Sequence, residues 1–429
     1  MTGLSVESGI NASARHRLEA IAQSVGTPAY VYDLAVLRSS FAAVRDDLPA
    51  GSELFYSLKA NPHPRVVAEL IAAGARAEVS STGELAVALA AGCPAHHVLY
   101  SGPGKTREEV EQALHRGVRS FSVESVTDRQ RLAEACTRTD TTADYLVRIN
   151  SPRGSAGGSL RMGGRASAFG VDHADKQSLD QLLRPLGRVR PVGMHTFSAT
   201  NIADPAELVA EFEQSVRTVA TIAGRAGFTP SVLDLGGGFP APFARSGALP
   251  RHPRLRAAID AALDTSFPDR HRLGTRVVFE SGRALAASAG TLLTTVLDVK
   301  QSGDRTFAVM DAGVNVLGGM SGLGRLRPSS VVPVPVGAEM PSSRSDVTNP
   351  VTLVGPLCTP LDVLAPSIDA PYLHPGQVLA IPNTGAYGPT ASLLGFLSRT
   401  PPAEVVLDGD RTVAVGRIEL RTQEAPLCD

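Results

Sequence analysis

Residues 53–102 read ELFYSLKANPHPRVVAELIAAGARAEVSSTGELAVALAAGCPAHHVLYSG. Short apolar runs alternate with amphipathic runs in this stretch. In order, the runs are residues 53–60, 65–74, 75–80, 83–92 and 97–102. The apolar runs have the length and composition of buried strands, and both amphipathic runs end on Gly, which tolerates the left-handed conformation of a helix C-cap. The stretch therefore predicts strands and helices in strict alternation.

The alternation continues along the chain. The predicted strands are residues 53–60, 75–80, 97–102, 119–124, 144–150, 191–198, 232–238 and 276–282. The predicted helices include residues 65–74, 83–92, 107–117, 128–138 and 206–227. Eight strands alternating with helices over about 230 residues are typical of a TIM barrel, whereas a doubly wound open sheet rarely supplies eight parallel strands. We predict an α/β fold with a TIM (β/α)8 barrel over residues 35–285.

The pattern of apolar runs and turn residues changes after residue 285. Short runs rich in Val, Thr and Leu are separated by Pro and Gly, which is typical of an antiparallel β domain. These runs are residues 290–301, 306–310, 350–354, 377–381, 404–407 and 412–415. Residues 28–32 also have the pattern of a strand and could join this C-terminal sheet. We therefore predict a discontinuous β domain over residues 1–34 and 286–429, with a long mobile loop at residues 321–348.

Composition excludes several function classes. The chain has 429 residues, 43% hydrophobic and 19% charged, with a net charge of -1, so there is no electrostatic basis for binding nucleic acid or an anionic membrane. It shows neither a basic-then-apolar leader nor a stretch of about 18 apolar residues, which predicts a cytoplasmic protein. The four cysteines (Cys93, Cys136, Cys358 and Cys428) lack metal-ligand spacing, so we expect no metal site and no disulfide framework.

Lys59 ends the first predicted strand and is one of only four lysines, against 37 arginines. A desolvated Lys can lose its proton and attack a carbonyl to form an imine, whereas Arg stays charged and cannot. A lone Lys at the end of a strand in a barrel therefore indicates Schiff-base chemistry. The alternative is a Lys that closes the strand and extends its ammonium into solvent.

Further chemistry-bearing residues follow other predicted strands. In a TIM barrel the active site lies at the carboxyl ends of the strands, and phosphate sites favour the loops after strands seven and eight. Strand seven ends in the triplet Gly236–Gly238, and strand eight ends in Glu280–Arg283, so both are candidates for binding phosphate. His195 ends strand six and is a candidate for ring stacking or proton transfer. Glu78 ends strand two, although it could equally accept hydrogen bonds from a backbone turn.

Five motifs, in order and spacing, resemble the pyridoxal-phosphate decarboxylases of the diaminopimelate/ornithine/arginine group. They are Tyr56–Ser57–Leu58–Lys59–Ala60–Asn61, Gly236–Gly238, Glu280–Ser281–Gly282–Arg283, Gly355–Pro356–Leu357–Cys358 and Gly385–Ala386–Tyr387. The resemblance runs from Pro28 to about Leu407 and implies the alanine-racemase-like architecture known as fold type III. Within the group, several motifs look most similar to the glutamyl-acyl-carrier-protein decarboxylase of butirosin biosynthesis, which implies specialised metabolism such as antibiotic biosynthesis.

The resemblance implies a set of roles around pyridoxal 5'-phosphate. Lys59 would hold the cofactor, Glu280 would face its pyridine nitrogen, and His195 would stack on the ring. Glu78 and Ser198 would lie near the cofactor. The phosphate would be bound by Gly236, Gly237, Gly238, Gly282, Arg283 and Tyr387.

Cys358 has an implied role in a second subunit. By resemblance it enters the active site of the opposite protomer and returns a proton to the α-carbon of the substrate. This implies an obligate homodimer with shared active sites. The alternative is a small buried Cys that packs inside the β domain.

The residues after Cys358 depart from the family pattern. Diaminopimelate and ornithine decarboxylases place an acid there to receive the distal ammonium of the substrate, whereas this chain has Thr359, and its next carboxylate is Asp362. Free diaminopimelate, ornithine and lysine are therefore disfavoured substrates, although Asp311 could still serve a distal amine. Thr359, Asp362 and Asp311 are candidates for substrate contacts. The loop that follows His195 also lacks the usual Gly-Ser.

Three function classes remain open. The first is a decarboxylase for a specialised amino acid, either free or tethered to an acidic acyl or peptidyl carrier protein that some of the arginines would contact; a decarboxylase of free diamino acids is its variant. The second is an alanine-racemase-like isomerase, which Glu280 disfavours because such racemases place Arg at the pyridine nitrogen. The third is a non-catalytic paralogue.

Overall fold

The computed structural model describes residues 12–151, 158–161, 167–197, 199–318, 331–336, 350–370 and 373–424, with only the backbone of 158–161. These residues form two compact units. One unit contains the described residues of Leu37–Ala241 and Leu249–Ala286. The other contains those of Met1–Val36, Pro242–Ala248 and Ala287–Asp429.

The helices are α1 (Ala12–Val25), α2 (Leu34–Asp46), α3 (Pro64–Ala72), α4 (Thr82–Ala90), α5 (Arg107–His115), α6 (Val126–Arg138), α7 (Lys176–Leu182), α8 (Pro205–Ala226), α9 (Leu255–Ser266), α10 (Arg270–Leu273) and α11 (Arg283–Ala286). Single 3-10 turns occur at Leu58–Ala60, Ala95–His97, Ala287–Ala289, Pro389–Ala391 and Phe396–Ser398.

The strands are β1 (Ala29–Asp33), β2 (Glu53–Ser57), β3 (Arg76–Val79), β4 (Val98–Tyr100), β5 (Ser120–Val123), β6 (Ala143–Asn150), β7 (Gly158–Arg161), β8 (Val171–Asp172), β9 (Val189–Thr196), β10 (Ala199–Ile202), β11 (Val232–Asp234), β12 (Arg276–Ser281), β13 (Gly290–Ser302), β14 (Arg305–Met310), β15 (Val334–Pro335), β16 (Val351–Val354), β17 (Val363–Ile368), β18 (Val378–Pro382), β19 (Ala403–Asp408) and β20 (Arg411–Arg417).

The first unit is a closed barrel of eight parallel strands in the order β5-β4-β3-β2-β12-β11-β9-β6. A further parallel pairing of β5 with β6 closes the ring. Each of the eight predicted strands overlaps one of these barrel strands, so the predicted barrel is confirmed. The predicted strand ends are wrong by the most residues at β2, which stops at Ser57 and is followed by a 3-10 turn, and at β11, which stops at Asp234.

Side-chain caps fix the points at which three helices begin after the carboxyl ends of strands. Ser81 caps α4, Ser125 caps α6 and Asp204 caps α8, in each case by accepting hydrogen bonds from backbone amides of the first turn. Each cap satisfies donors that the first turn of a helix leaves without partners. The loops that carry the candidate site residues are therefore anchored at their helical ends.

The second unit is built on a mostly antiparallel sheet in the order β17-β16-β14-β13-β1-β19-β20. In addition, β18 pairs with β13 and β15. The predicted antiparallel arrangement needs one correction, because β1 pairs in parallel with β19 and β14 pairs in parallel with β16. Parallel pairing becomes possible because the partner strands are far apart in the chain.

Two stretches of the second unit bear on the predicted elements. Strand β17 was not predicted, because Pro366 interrupts its apolar pattern. Of the predicted mobile loop at residues 321–348, only residues 331–336 lie within the described part, and they contain β15. Among the described helices, none is both long and apolar enough to cross a membrane.

Candidate active site

Lys59 stands in the 3-10 turn that follows β2, at the carboxyl end of the barrel. Both of its neighbours in the turn are completely buried, whereas 43% of the Lys59 side chain is exposed. Its Nζ atom lies 3.2 Å from Oε2 of Glu78 and 5.7 Å from the ring centroid of Phe197. The backbone is therefore fixed while the amine extends into the mouth of the barrel.

Glu78 lies on β3 and is 2% exposed. Besides Lys59, it accepts hydrogen bonds from the hydroxyl groups of Ser101 and Ser80. Burial by itself would raise the pKa of the carboxyl group, but the charge of Lys59 and the hydrogen bonds from Ser101 and Ser57 outweigh it and lower the pKa to about 2. Glu78 is therefore an anion that holds the Lys59 ammonium in place.

His195 lies on β9 and is 1% exposed. Its Nδ1 atom is 2.8 Å from the hydroxyl oxygen of Ser122, and its Nε2 atom is 3.5 Å from Oε1 of Glu280. Burial, with a further contribution from the charge of Arg148, lowers the pKa of the ring well below its usual value. A neutral imidazole suits stacking against an aromatic ring better than it suits binding an anion.

Lys105, the second of the four lysines along the chain, has a different environment. It is 4% exposed, and its Nζ atom lies 2.9 Å from Asp128 and 2.8 Å from the carbonyl oxygen of Ser122. Since Ser122 also contacts His195, the ammonium of Lys105 supports the strand end that positions the imidazole.

Asp234 and Glu280 end the neighbouring strands β11 and β12 and are 0% and 2% exposed. Burial raises the pKa of Asp234 to about 7 and that of Glu280 well above its usual value, and the charge of Asp234 raises the pKa of Glu280 further. One oxygen of each carboxyl group and one His195 ring nitrogen lie within 4.8 Å of one another. The sequence prediction missed Asp234, although a carboxylate two residues before a glycine triplet was the available signal.

The glycine triplet packs directly on the ends of two neighbouring strands. A Cβ atom on Gly236 would lie 2.2 Å from the carbonyl oxygen of Thr196, and one on Gly237 would lie 2.3 Å from that of Glu280. Gly236 also has a φ of +68°, and its N–H donates to Oδ1 of Asp234 at 2.9 Å. Only glycine fits there, so the turn presents backbone rather than side chains.

Gly282 makes a similar close approach to the Lys59 turn. A Cβ atom there would lie 2.8 Å from Cβ of Ala60 and 3.1 Å from the carbonyl oxygen of Ser57. Arg283 follows, is buried, and begins α11. The structure thus brings Lys59, Glu78, His195, Glu280 and the predicted phosphate-binding glycines to one end of the barrel.

The remaining predicted site residues lie in the second unit, apart from Ser198, which lies outside the described residues. Cys358 is exposed in the loop between β16 and β17, with Thr359 half-buried beside it. Tyr387 has a positive φ of 57°.

The two candidate carboxylates of that unit bind groups of the protein. Asp362 accepts hydrogen bonds from backbone amides. Asp311 accepts hydrogen bonds from the hydroxyl groups of Thr294 and Thr27 and from the backbone amide of Thr295. Their contacts with substrate stay predictions.

The barrel end fits a planar aromatic cofactor that carries an aldehyde and a phosphate. Among the described residues, Oε1 of Glu280 and Nε2 of His195 are buried without a hydrogen-bond partner, which leaves them available to a ring placed between them and the Lys59 amine. Donor atoms this close could also hold a divalent cation. The adjacent glycine turn presents backbone rather than side chains, and backbone amides suit the phosphate of such a cofactor but are not ligands for a cation, so the aromatic cofactor is the better match.

Comparison with known proteins agrees with this geometry. Residues 34–287 match the family model described as the pyridoxal binding domain of pyridoxal-dependent decarboxylases. The chain is 30% identical over 393 residues to the decarboxylase of L-glutamyl-BtrI acyl-carrier protein from Niallia circulans, covering 91% of this chain and 90% of that protein. It is also 30% identical to the diaminopimelate decarboxylase of Zymomonas mobilis, covering 93% and 91%.

Two further similarities extend the comparison. The 2-((L-alanin-3-ylcarbamoyl)methyl)-2-hydroxybutanedioate decarboxylase of Staphylococcus aureus is 28% identical, with 90% of this chain and 95% of that protein covered. The crystal structure of diaminopimelate decarboxylase from Helicobacter pylori complexed with L-lysine superposes with a TM-score of 0.79 at 26% identity. The superposition covers 93% of this chain and 95% of that one.

Proposed function

Because the chain belongs to the pyridoxal-dependent decarboxylases of the diaminopimelate/ornithine family, we propose that it removes the α-carboxyl group of a specialised amino acid whose far end is neutral, anionic or tethered to a carrier protein. The observation that carries the substrate proposal is the uncharged Thr359–Pro360–Leu361 segment after Cys358. Family membership establishes that the chain is a decarboxylase, which excludes the isomerase and the non-catalytic paralogue.

The residues at the barrel end support the cofactor roles. Pyridoxal phosphate, when bound, supplies an electron sink for the electron pair that carbon dioxide leaves behind. Lys59 would hold the cofactor through its amine, and Glu280 would accept a hydrogen bond from the ring nitrogen. His195 would lie against the ring face. The Gly236–Gly238 amides, with Gly282 and Arg283, would hold the phosphate.

Proton return to the α-carbon would be the task of Cys358. Its thiol belongs to an exposed loop, which is compatible with a site that a second protomer completes. We therefore infer a homodimer in which each Cys358 serves the partner's Lys59. Positioning the scissile bond and the proton donor together would set the selectivity of the reaction.

The surroundings of Cys358 disfavour a distal ammonium. Thr359 is half-buried, Pro360 is exposed and Leu361 is 60% exposed, so none offers a charge. Asp362, the next carboxylate along the chain, binds two backbone amides. A buried ammonium without a partner would weaken binding by about 1–3 kcal/mol.

The names of two relatives point the same way. The protein from N. circulans acts on a glutamyl group carried by an acyl carrier protein, and the protein from S. aureus acts on a carbamoyl-linked hydroxybutanedioate. Neither name describes a free diamino acid. The similarity to diaminopimelate decarboxylases makes decarboxylation of a free diamino acid the second candidate.

A carbon dioxide release assay distinguishes the two candidates. The wild-type protein is assayed with free diaminopimelate, ornithine and lysine, and with glutamyl and other aminoacyl carrier proteins, using Lys59→Ala as the blank. We expect higher kcat/KM for a carrier-bound or modified amino acid. Turnover of any of the three free diamino acids at roughly 10⁴ M⁻¹s⁻¹ or above would overturn the substrate proposal.

A further inference from the structure

Asp234 and Glu280 bring two carboxyl groups together at the buried ends of neighbouring strands. Asp234 is opposite Val278 in the parallel pairing of β11 and β12, so Glu280 lies two residues further along the same edge. Oxygens of the two groups approach within 4.8 Å, and both residues are at least 98% buried. The titratable or charged groups that face the pair are His195, Glu78, Lys59 and Arg148.

The nearby cations offset two negative charges at this point only in part. Lys59 is paired with Glu78 at 3.2 Å, and Arg148 is paired with Glu124 at 3.0 Å. Within the described part of the chain, neither Asp234 nor Glu280 forms an ion pair with Lys or Arg. Two ionised carboxylates so close and so deeply buried are unfavourable, and the usual outcome is that one of them keeps a proton.

Each of the two carboxyl groups has one oxygen available for that proton. Oδ1 of Asp234 accepts the Gly236 amide at 2.9 Å, while its Oδ2 and Oε1 of Glu280 are buried and without a partner among the described residues. Under the proposed function, on which this step rests, Glu280 must be the anion because it accepts the hydrogen bond from the ring nitrogen. The proton therefore belongs on Asp234.

We propose that Asp234 is a neutral acid that positions Glu280: its Oδ2–H donates to the Glu280 carboxylate while its Oδ1 accepts the Gly236 amide. Asp234 then joins the two ends of the cofactor site, because the same side chain holds the glycine turn and the carboxylate at the ring nitrogen. Glu280 also donates its backbone amide to the Gly236 carbonyl at 2.8 Å, so the link is made twice.

The Asp234→Asn and Asp234→Ala variants test the proposal, with Asp46→Asn as the control. Asn has the shape of the neutral acid: its oxygen can accept the Gly236 amide and its NH₂ group can donate to Glu280. Ala can do neither. We measure the dissociation constant of pyridoxal phosphate by titrating the apo protein, and kcat/KM on the best substrate. Asp234→Asn is expected to bind within about threefold of wild type, and Asp234→Ala to bind roughly tenfold or more weakly.

The possible outcomes distinguish failure of this proposal from failure of the proposed function. Equal losses in the Asn and Ala variants would mean that a carboxylate is required at this position, and unchanged binding in both would mean that Asp234 does not position Glu280; either result overturns the proposal. Failure of wild type itself to bind the cofactor would instead count against the proposed function. A wrong substrate assignment would leave the cofactor affinities unaffected.

A stability measurement remains informative even if Asp234→Ala does not fold. The raised pKa of Asp234 means that its contribution to the stability of the apo protein is complete below its unfolded value of about 3.9 and is lost as pH rises through about 7. Asn cannot lose a proton. The Tm of apo Asp234→Asn should therefore fall less between pH 5 and pH 8 than that of wild type or Asp46→Asn, and an equal fall would overturn the proposal.

Discussion

The carboxylate of Asp362 accepts a hydrogen bond from the backbone amide of Leu357, at 2.8 Å. Its other oxygen accepts the amide of Val314, also at 2.8 Å, and the side chain is 3% exposed. Leu357 immediately precedes Cys358. The loop that presents the thiol is therefore attached to the body of its unit through one buried carboxylate.

Replacing Asp362 with Asn should disturb Cys358 without touching it. An amide NH₂ group cannot accept a backbone N–H, so one of the two hydrogen bonds is lost and the loop shifts. Because displacements of about 1 Å can reduce rates up to 10²-fold, we expect kcat to fall roughly tenfold or more. Steady-state kinetics of Asp362→Asn beside the exposed Asp369→Asn tests this. Wild-type kcat in Asp362→Asn, together with a strong defect in Cys358→Ala, would contradict it.

Lys59 is expected to carry the cofactor. Borohydride reduction of the yellow holoenzyme, followed by peptide mass spectrometry, should locate the cofactor on Lys59 alone, because its amine is accessible at the barrel end. Lys59→Ala should lose turnover by a factor of about 10³ or more. Finding the label on Lys105, Lys176 or Lys300 would refute the assignment.

Lys105 provides the contrasting case. Its removal leaves Asp128 buried without its close partner, and breaking a buried ion pair costs about 3–5 kcal/mol. We expect Lys105→Ala to lower the free energy of unfolding strongly, as measured by denaturant titration. A variant as stable as wild type would show that the buried ion pair contributes little.

Subunit mixing tests the proposal that two protomers share each active site. Lys59→Ala and Cys358→Ala homodimers are each expected to be inactive, whereas a mixed dimer keeps both native residues in one of its two sites. Equal mixing with free exchange should therefore restore about a quarter of the sites. The absence of recovery after exchange has been demonstrated by mass spectrometry would place Cys358 in the site of its own chain or outside catalysis.

Glu78 should contribute to stability only above strongly acidic pH. Its pKa of about 2 lies below the unfolded value of about 4.3, so its contribution is present above pH 4.3 and is lost as pH falls through about 2. Since Lys59 is 43% exposed, the pair is partly screened, and Glu78→Gln should lower Tm at pH 6 by about 2–4 °C. The difference should shrink towards pH 2. Glu213→Gln, which breaks a surface pair with Arg217, should have a smaller effect at every pH.

Sequence pattern predicted the barrel because each strand-and-helix unit is local and its apolar runs are continuous. The sequence pattern did not predict strand ends and strand pairings that depend on contacts between distant parts of the chain. The segment through Lys59 was predicted as strand to residue 60, but β2 ends at Ser57, and the next three residues form a 3-10 turn. The parallel pairing of β1 with β19 joins residues far apart in the chain, and no local pattern records it.

For the candidate site, the sequence predicted which residues lie there but not the role of each. Residues at strand ends could be identified one by one, because barrel topology brings all strand ends to one side. What each carboxylate does was not predictable, since Glu78 and Glu280 are both buried acids, yet one has a lowered and the other a raised pKa. The difference depends on the ammonium of Lys59, which lies 3.2 Å from the Glu78 carboxylate. Asp234 was not predicted as a site residue because its proposed role depends on Glu280, which is close to it only in the folded barrel.

The close approach of Gly282 to Ala60 also bears on how relatives of this protein diverge. With 2.8 Å between Cβ of Ala60 and a Cβ placed on Gly282, the two positions have room for a single methyl group. A chain that acquires Ala at the second position is expected to have, or soon to fix, Gly at the first. The two positions should therefore covary in an alignment of homologues, although they lie in different loops and neither carries a reactive group.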